Sequence, residues 1–192
     1  MGRQRPENGS AGTFMKPHRA RYARIETLAR ELLGKYRVQS APVPVHRIAE
    51  GEGASIVVKS FNNEVSGLLM RTGETAIIAV ERRQPATRQA FTVAHELGHL
   101  LLHPGQELRV DQRFRVNLRS PESSTAEDVE EIEANAFAAA LLMPEMFLRK
   151  DLSDFVLDID DAGQVQVLAK RYGVSAQAMT LRLVNLVTLG RL

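Results

Sequence analysis

Residues 91–103 decide what the rest of this chain folds around, and they read Phe91-Thr-Val-Ala-His-Glu-Leu-Gly-His-Leu-Leu-Leu-His103. Residues four apart on a helix lie one turn apart on the same face, so the imidazoles of His95 and His99 can bind a single metal ion. The carboxylate of Glu96, beside the first histidine, can then deprotonate a water molecule at that ion. Only three of the five positions in His-Glu-x-x-His are specified, so the surrounding sequence has to support the assignment.

The third ligand is the open question, because a catalytic zinc site takes three protein ligands and keeps one position for water. His103 lies four residues beyond His99, but eight residues of helix rise about 12 Å, too far for His95 and His103 to reach one ion. Zinc proteins that add a third histidine to this motif need a glycine turn first, and residues 100–102 are all leucine. We therefore predict that His103 lies at a helix end or a cleft rim.

A better candidate for the third ligand lies on a second helix, which is acidic and contains the stretch Glu131-Ile-Glu-Ala-Asn135. Glu131 and Asn135 are four apart and share a face with small apolar side chains, which would let this helix pack closely on the first. A carboxylate on such a face is costly to bury unless it meets a cation, so Glu131 is the predicted ligand. Asn135 is expected to accept a hydrogen bond from the ring N–H of a ligand histidine and so fix its tautomer. Glu133 lies about 200° further around the helix and is predicted to face solvent.

An ordinary amphipathic helix with an acidic first turn would explain this second segment equally well if it stood alone. Beside a complete His-Glu-x-x-His, the ligand assignment is the favoured one. The chain has no cysteine, so disulfides and thiolate ligands are excluded, and any zinc must be bound by histidine, aspartate or glutamate.

Composition and charge describe an ordinary globular protein. The 192 residues are 44% hydrophobic and 25% charged, enough for one domain, with or without a small appendage. The formal net charge is only +2, but residues 1–40 hold nine Lys/Arg against three acids, while residues 121–148 contain acids and no Lys/Arg. A solvated basic tail is the favoured interpretation, and an arm that binds nucleic acid is the alternative.

Neither a signal peptide nor a membrane span is predicted. The first twenty residues lack an apolar segment, and the longest apolar run, Ala136–Met143, is too short to cross a bilayer. We expect a cytoplasmic protein without a membrane partner.

Hydrophobic periodicity and turn residues predict helices and strands in alternating blocks. The predicted helices cover residues 19–36, 46–50, 84–103, 124–142, 162–172 and 176–187, and the predicted strands cover 54–59, 64–70 and 75–80, with a further edge strand within 108–116.

The last two helices have helix-turn-helix spacing, with Gly173 at the turn and Ser175 as the cap. In a DNA-binding unit of this kind, Gln177, Thr180 and Arg182 would lie on the outer face. The same pattern also serves as a packing element, which is the favoured interpretation, and DNA contact is the alternative.

Three pieces of the sequence together resemble the ImmA/IrrE metallopeptidase family: residues 91–103, Glu131-x-x-Ala-Asn-x-Phe-Ala138 and Leu141-Leu-Met-Pro144. In that family the Glu-x-x-Ala-Asn motif supplies the third metal ligand, which falls on Glu131. The resemblance implies a gluzincin-like α+β fold, in which a small mixed β-sheet with an edge strand packs on the His-Glu-x-x-His and Glu-bearing zinc-binding helices. It divides the chain into a flexible basic tail (1–18), a zinc metallopeptidase domain (19–150) and a C-terminal helical, helix-turn-helix-like subdomain (151–192).

The resemblance also implies a reaction, namely peptide-bond hydrolysis by a zinc-dependent metalloendopeptidase. Glu96 would be the general base, and the donor set admits Mn²⁺ or Fe²⁺ in place of Zn²⁺. A residue that stabilises the oxyanion or contacts substrate is expected as well, with Tyr172, His103 and Arg88 as candidates. A substrate strand is predicted to add to an edge strand near Thr75–Val80.

Members of the resembled family cleave a helix-turn-helix transcriptional repressor, or promote its loss, which derepresses stress-response or mobile-element genes. A repressor of this kind is therefore the expected protein substrate. The alternative is a non-catalytic regulator that binds DNA or a repressor through its C-terminal helices. An intact Glu96 favours the enzyme, because binding alone does not need a general base.

Overall fold

A computed structural model describes residues 19–61, 65–73, 75–103, 105, 107–112, 126–153, 159 and 161–192. The predicted basic tail, 1–18, and the predicted cap at residues 124–125 lie outside these ranges. Helices and strands follow one another in the order α1 (Tyr22–Lys35), α2 (Val45–Gly51), β1 (Ala54–Lys59), β2 (Val65–Thr72), β3 (Thr75–Glu81), α3 (Ala86–Leu102), β4 (Leu108–Gln112), α4 (Ala126–Leu142), α5 (Glu145–Asp151), α6 (Ala162–Tyr172) and α7 (Ala176–Thr188). The predicted α+β class, with a small mixed sheet and C-terminal helices, is confirmed.

The four strands form one sheet in the order β1-β3-β2-β4. β3 runs parallel to β1 and antiparallel to β2, with Ile78 opposite both Ile56 and Leu69. The prediction of an edge strand at Thr75–Val80 was therefore wrong, because β3 is paired on both sides. Its near-continuous apolar run, Ala-Ile-Ile-Ala-Val, is typical of a strand buried on both faces. Within the described sheet the edges are β1 and β4.

The core lies between the sheet and the helices, with α3 at its centre. Along α3 the side chains of Val93, Ala94 and Leu97 are completely buried, and on α4 so are Phe137 and Leu141. α3 packs against the sheet on one side and against α4 on the other, while α1 packs on the far side of α4. The helix that carries the His-Glu-x-x-His motif is thus packed between the sheet and α4.

Gly98 allows α3 and α4 to approach each other closely. A Cβ atom at this position would lie 3.0 Å from Cδ1 of Phe137 and 3.2 Å from Cα of Ala134. The second of these neighbours is backbone, which cannot move aside without shifting α4. Gly98 therefore sets the distance between the two helices that carry the candidate metal ligands.

A Gly98→Val variant is expected to lose about 1–3 kcal/mol of unfolding free energy, because the added methyl groups overpack this helix contact. Urea unfolding followed by circular dichroism would measure the loss. Gly34→Val is the matched control, since a Cβ atom at Gly34 meets nothing within 4 Å. Equal stability of the two variants would contradict the close approach of α3 and α4.

The C-terminal pair, α6 and α7, has the predicted helix-turn-helix form. Gly173 ends α6 in the left-handed conformation, with φ of 65°, and Ser175 caps α7 by accepting a hydrogen bond from the backbone N–H of Ala178. The alternative of a DNA-binding unit would place Arg182 on the outer face, and for this residue the structure contradicts it. Arg182 is only 7% exposed and donates to Glu26 of α1 and to the carbonyl of Met143, so it fastens α7 to the rest of the molecule.

One helix was not predicted. The sequence indicated that a helix stops near Pro144, and α4 does end at Leu142, but Pro144 also occupies the N-cap position of the short α5. None of the helices in the described ranges combines the length and apolar character needed to cross a lipid bilayer.

Candidate metal centre

His95, His99 and Glu131 come together where α3 packs on α4. The Nε2 atoms of the two histidines are 2.9 Å apart. The Glu131 carboxylate places Oε2 3.4 Å from Nε2 of His95 and Oε1 3.3 Å from Nε2 of His99. Both imidazoles are fully buried, whereas the Glu131 side chain is 39% exposed, so the group has one open side.

The spacing and chemistry of these atoms suit a divalent metal ion. Ligand atoms around a tetrahedral zinc ion, with bonds of about 2.0–2.2 Å, lie about 3.3–3.5 Å from one another. Both distances between the Glu131 carboxylate and the imidazoles fall in this range, and the two Nε2 atoms are closer to each other, at 2.9 Å. Two imidazole nitrogens and a carboxylate oxygen are also a common donor set for catalytic zinc. The three side chains can therefore hold a metal ion on one side of the α3–α4 contact.

Burial and hydrogen bonding leave the ligand groups in the ionisation states that a metal ion needs. Burial lowers the pKa of His99 to about 4, so its imidazole is neutral near pH 7. Burial alone would raise the pKa of Glu131, but its hydrogen bonds to His95 and His99 outweigh that effect and hold the pKa far below its ordinary value. Near pH 7 the site thus presents a neutral imidazole at His99 and an ionised carboxylate at Glu131.

Asn135 lies one turn beyond Glu131 and contacts the outer nitrogen of His95. Its Oδ1 is 3.1 Å from Nδ1 of His95. An imidazole whose Nε2 lone pair faces a metal ion carries its proton on Nδ1, and a carbonyl oxygen can only accept. The contact therefore favours the tautomer in which Nε2 of His95 is free to bind the metal ion.

Glu133 was predicted to face solvent, and this was wrong. Its side chain is completely buried and accepts hydrogen bonds from Nε and Nη2 of Arg21, from the Arg21 backbone N–H, and from Nε2 of His103. Burial would raise the pKa of Glu133, but the bonds to Arg21 and His103 lower it to about 2. The helix face opposite Glu131 does not meet water, because α1 packs against α4 on that side.

His103 is the C-cap residue of α3, in agreement with the predicted helix end, and its ring is buried. It does not join the group of ligand atoms. Instead, its Nδ1 lies 3.0 Å from Nδ1 of His99, and its Nε2 lies 2.9 Å from Oε2 of Glu133. His103 therefore contacts the back of the candidate ligand His99, on the side away from Glu131.

Glu96 lies next to His95 on α3 and is completely buried. Its carboxylate packs against the backbone of β2 at Gly67. A Cβ atom built on Gly67 would lie 2.5 Å from Oε1 of Glu96 and 2.5 Å from Cγ2 of Thr92. The Glu96 carboxylate therefore occupies the space that a side chain at Gly67 would fill.

A Gly67→Ala variant is expected to push the Glu96 carboxylate out of this place, because the new methyl group would occupy it. We expect hydrolytic activity to fall about 10-fold or more, since even an ångström of misplacement near the chemistry is costly, while the affinity for Zn²⁺ changes little. Activity and zinc affinity measured on the same preparation would separate the two effects. Full activity in Gly67→Ala would show that the position of Glu96 is not critical.

Two arginines near the ligands were not foreseen in the sequence. Arg109 of β4 donates to Glu130 at 3.0 Å and also to the candidate ligand Glu131. Arg71 of β2 donates to the backbone carbonyls of His99 and His103, which satisfies acceptors at the end of α3. Both side chains come from the sheet, and the strand order that brings them beside α3 and α4 could not be read from the sequence.

Tyr172 and Arg88 are the other two residues predicted to stabilise the oxyanion or contact substrate, and neither belongs to the group of candidate metal ligands. Tyr172 is 1% exposed, and its hydroxyl donates to Asp151 at the end of α5. Burial and this bond raise the pKa of Tyr172, which fits a structural hydroxyl. Arg88 lies in the first turn of α3, where its backbone carbonyl accepts from Thr92, and burial lowers its pKa.

Comparison with known proteins found one matching family model and a phage relative. The Peptidase_M78 profile, described as the IrrE N-terminal-like domain, matches residues 49–184, a range that contains α3, α4 and all three candidate ligands. The uncharacterized immunity region protein 2 of Bacillus phage phi105 is 23% identical over 142 residues, which cover 73% of this chain and 82% of the phage protein.

Among solved structures, a Mycobacterium tuberculosis transcriptional regulator has a similar fold, with a TM-score of 0.56 and 14% sequence identity. The match covers 82% of this chain and 45% of the regulator, so the chain spans less than half of the regulator's length. At this identity the likeness concerns the fold alone. The family profile extends over more than half of the sequence, so the resemblance predicted from the motifs is confirmed. The chain belongs to the Peptidase_M78 family, with a metallopeptidase-type role.

Proposed function

We propose that this protein is a metal-dependent endopeptidase that cleaves another protein. His95, His99 and Glu131 would hold the ion, with Zn²⁺ as the expected metal, and Glu96 would act as the general base. The observation that carries the proposal is the position of Glu96. It is buried on the same helix as two ligand histidines, and that helix faces a third ligand across a close contact.

The chemistry divides between the ion and the side chains. A divalent metal ion here supplies Lewis-acid polarisation of the peptide carbonyl and makes water more acidic. Glu96 accepts a proton from the attacking water as the new C–O bond forms. It then delivers that proton to the amide nitrogen as the C–N bond breaks, so an acid and an amine leave the site and the Glu96 carboxylate is regenerated.

The surrounding residues keep these groups in place. Asn135 holds the ring of His95, the lack of a side chain at Gly67 makes room for Glu96, and Arg109 balances the negative charge of Glu131 and Glu130. Pre-positioning of this kind matters, because the reacting groups need not reorganise during the reaction.

A protein substrate can be bound at the edge of the sheet. β4 is the edge strand beside the metal centre, since its Arg109 reaches Glu131. Leu108 and Val110 on this strand are 56% and 44% exposed. We propose that an extended segment of the substrate pairs with β4, which would bring its backbone next to the ligands.

The proposed substrate is a helix-turn-helix transcriptional repressor, whose loss would derepress stress-response or mobile-element genes. Two observations support this class: the family membership and the phage relative described as an immunity region protein. Cleavage of a repressor would take place in the cytoplasm.

Intact-mass spectrometry of candidate repressors tests the proposal. Each repressor is incubated with the Zn²⁺-loaded protein, with and without a chelator, and in parallel with Glu96→Gln. We expect two product masses that sum to the repressor plus one water, and their disappearance in both controls. Cleavage that survives in Glu96→Gln would refute the role of Glu96. Salt-dependent DNA binding without any cleavage would favour a regulator instead.

A further inference from the structure

The back of the metal centre is connected to the start of α1 by a continuous line of hydrogen bonds. Nδ1 of His99 lies 3.0 Å from Nδ1 of His103, and Nε2 of His103 lies 2.9 Å from Oε2 of Glu133. Arg21, the residue just before α1, donates to the same carboxylate through its backbone N–H at 2.6 Å, Nε at 2.9 Å and Nη2 at 2.6 Å. The line joins three helices that are far apart in the sequence.

Metal binding at Nε2 of His99 would determine where the protons along this line lie. If Nε2 of His99 offers its lone pair to a metal ion, the neutral ring carries its proton on Nδ1. That proton can only be donated to a bare Nδ1 of His103, so His103 carries its own proton on Nε2. The Nε2–H group then donates to Glu133, and Glu133 accepts from Arg21. Each donor therefore meets an acceptor, and each step fixes the tautomer of the next.

Burial makes this arrangement effective. Glu133 is completely buried and His103 is 9% exposed, so bulk water does not compete for the bonds between them. Hydrogen bonds that involve a charged partner are about twice as strong as neutral ones, and Glu133 receives three of them from a single residue. The carboxylate cannot leave His103 without also leaving Arg21.

We propose that His103, Glu133 and Arg21 are positioning residues of the metal centre, which set the tautomer and orientation of His99, and that the contact of Arg21 with Glu133 thereby strengthens metal binding. The proposal rests on the metal-binding role of His99 given above. A purely structural ion pair between Arg21 and Glu133 would stabilise the fold and leave metal affinity unchanged. The two roles are therefore separated by metal affinity.

Zinc affinity, measured by competition with a chromophoric chelator, is the first test. Outer partners of ligand histidines typically contribute about 10–100-fold to metal affinity, and we expect losses in this range for His103→Phe and Glu133→Gln. Arg21→Met should lose several-fold. His103→Asn should recover part of the loss relative to His103→Phe, because an amide oxygen can still accept from Nδ1–H of His99. Arg24→Met, which removes the same charge from an exposed position on α1, should leave the affinity unchanged.

The double variant Arg21→Met with Glu133→Gln shows whether the residues act in series. We expect it to bind Zn²⁺ no more weakly than Glu133→Gln alone, because Arg21 acts on the metal only through Glu133. Unchanged affinity in all the single variants would overturn the proposal and leave the metal centre intact. A wild-type protein that binds no Zn²⁺ would instead overturn the proposed function, and this extension with it.

Nitrogen NMR of ¹⁵N-labelled histidines in the Zn²⁺-loaded wild type is a further test, and it does not depend on whether a variant folds. We expect His99 to be protonated on Nδ1 and His103 to be protonated on Nε2 and bare on Nδ1. A His103 ring that is protonated on Nδ1 could not accept from His99, and this result would also overturn the proposal.

Discussion

Replacing Glu96 by Gln is expected to slow peptide hydrolysis by about 10²–10⁴-fold, the usual contribution of a positioned general base. Glutamine has nearly the same shape but cannot accept the proton of the attacking water. Because Glu96 is not among the ligand atoms, the variant should bind one Zn²⁺ per chain as the wild type does. Turnover of a cleaved repressor and the metal content of the same sample give both values.

Glu50→Gln is the matched control, since it makes the same chemical change at an exposed position on α2. It should retain wild-type turnover. If Glu96→Gln retained the greater part of the activity, another residue would have to be the general base, and the assigned mechanism would be wrong.

Removal of the third ligand in Glu131→Ala is expected to weaken zinc binding by about 10²–10⁴-fold. Protein zinc sites bind with about 10–16 kcal/mol in total, so one of three ligands contributes a few kcal/mol, and every 1.4 kcal/mol is tenfold in affinity. Equilibrium dialysis against Zn²⁺ measures the change. Activity at low zinc should fall with it.

Removing a carboxylate is not by itself expected to matter, so Glu50→Ala should bind Zn²⁺ like the wild type. His103→Asn should lose far less affinity than Glu131→Ala, because His103 touches a ligand and is not one. The reverse order would mean that His103 and not Glu131 completes the site.

The parts of the site that sequence analysis predicted are those governed by local helix geometry. Spacing of four places His95 and His99 on one face of α3, and the same rule places Asn135 one turn from Glu131. Helix rise also separated His103 from the ligands. These arguments need no knowledge of which elements are neighbours in space.

The wrong or missing predictions concern residues whose surroundings are set by neighbouring helices and strands. Glu133 was predicted to be exposed because helix periodicity shows which residues share a face of α4. It does not show how many faces of α4 are covered by other elements, and α1 covers the face that carries Glu133. The partner of Glu133, Arg21, is 112 residues away in the sequence. Arg109 reaches Glu131 only because the strand order places β4 at the near edge of the sheet. The same strand order made β3 a central strand.

Anomalous diffraction from crystals grown with Zn²⁺ would show where the ion binds, without reference to activity or to an identified substrate. Data collected on both sides of the zinc absorption edge should give one strong peak per chain. We expect the peak about 2.0–2.2 Å from Nε2 of His95, Nε2 of His99 and a carboxylate oxygen of Glu131. No peak at the α3–α4 contact, or an ion bound without Glu131, would show that these three side chains do not form the metal site.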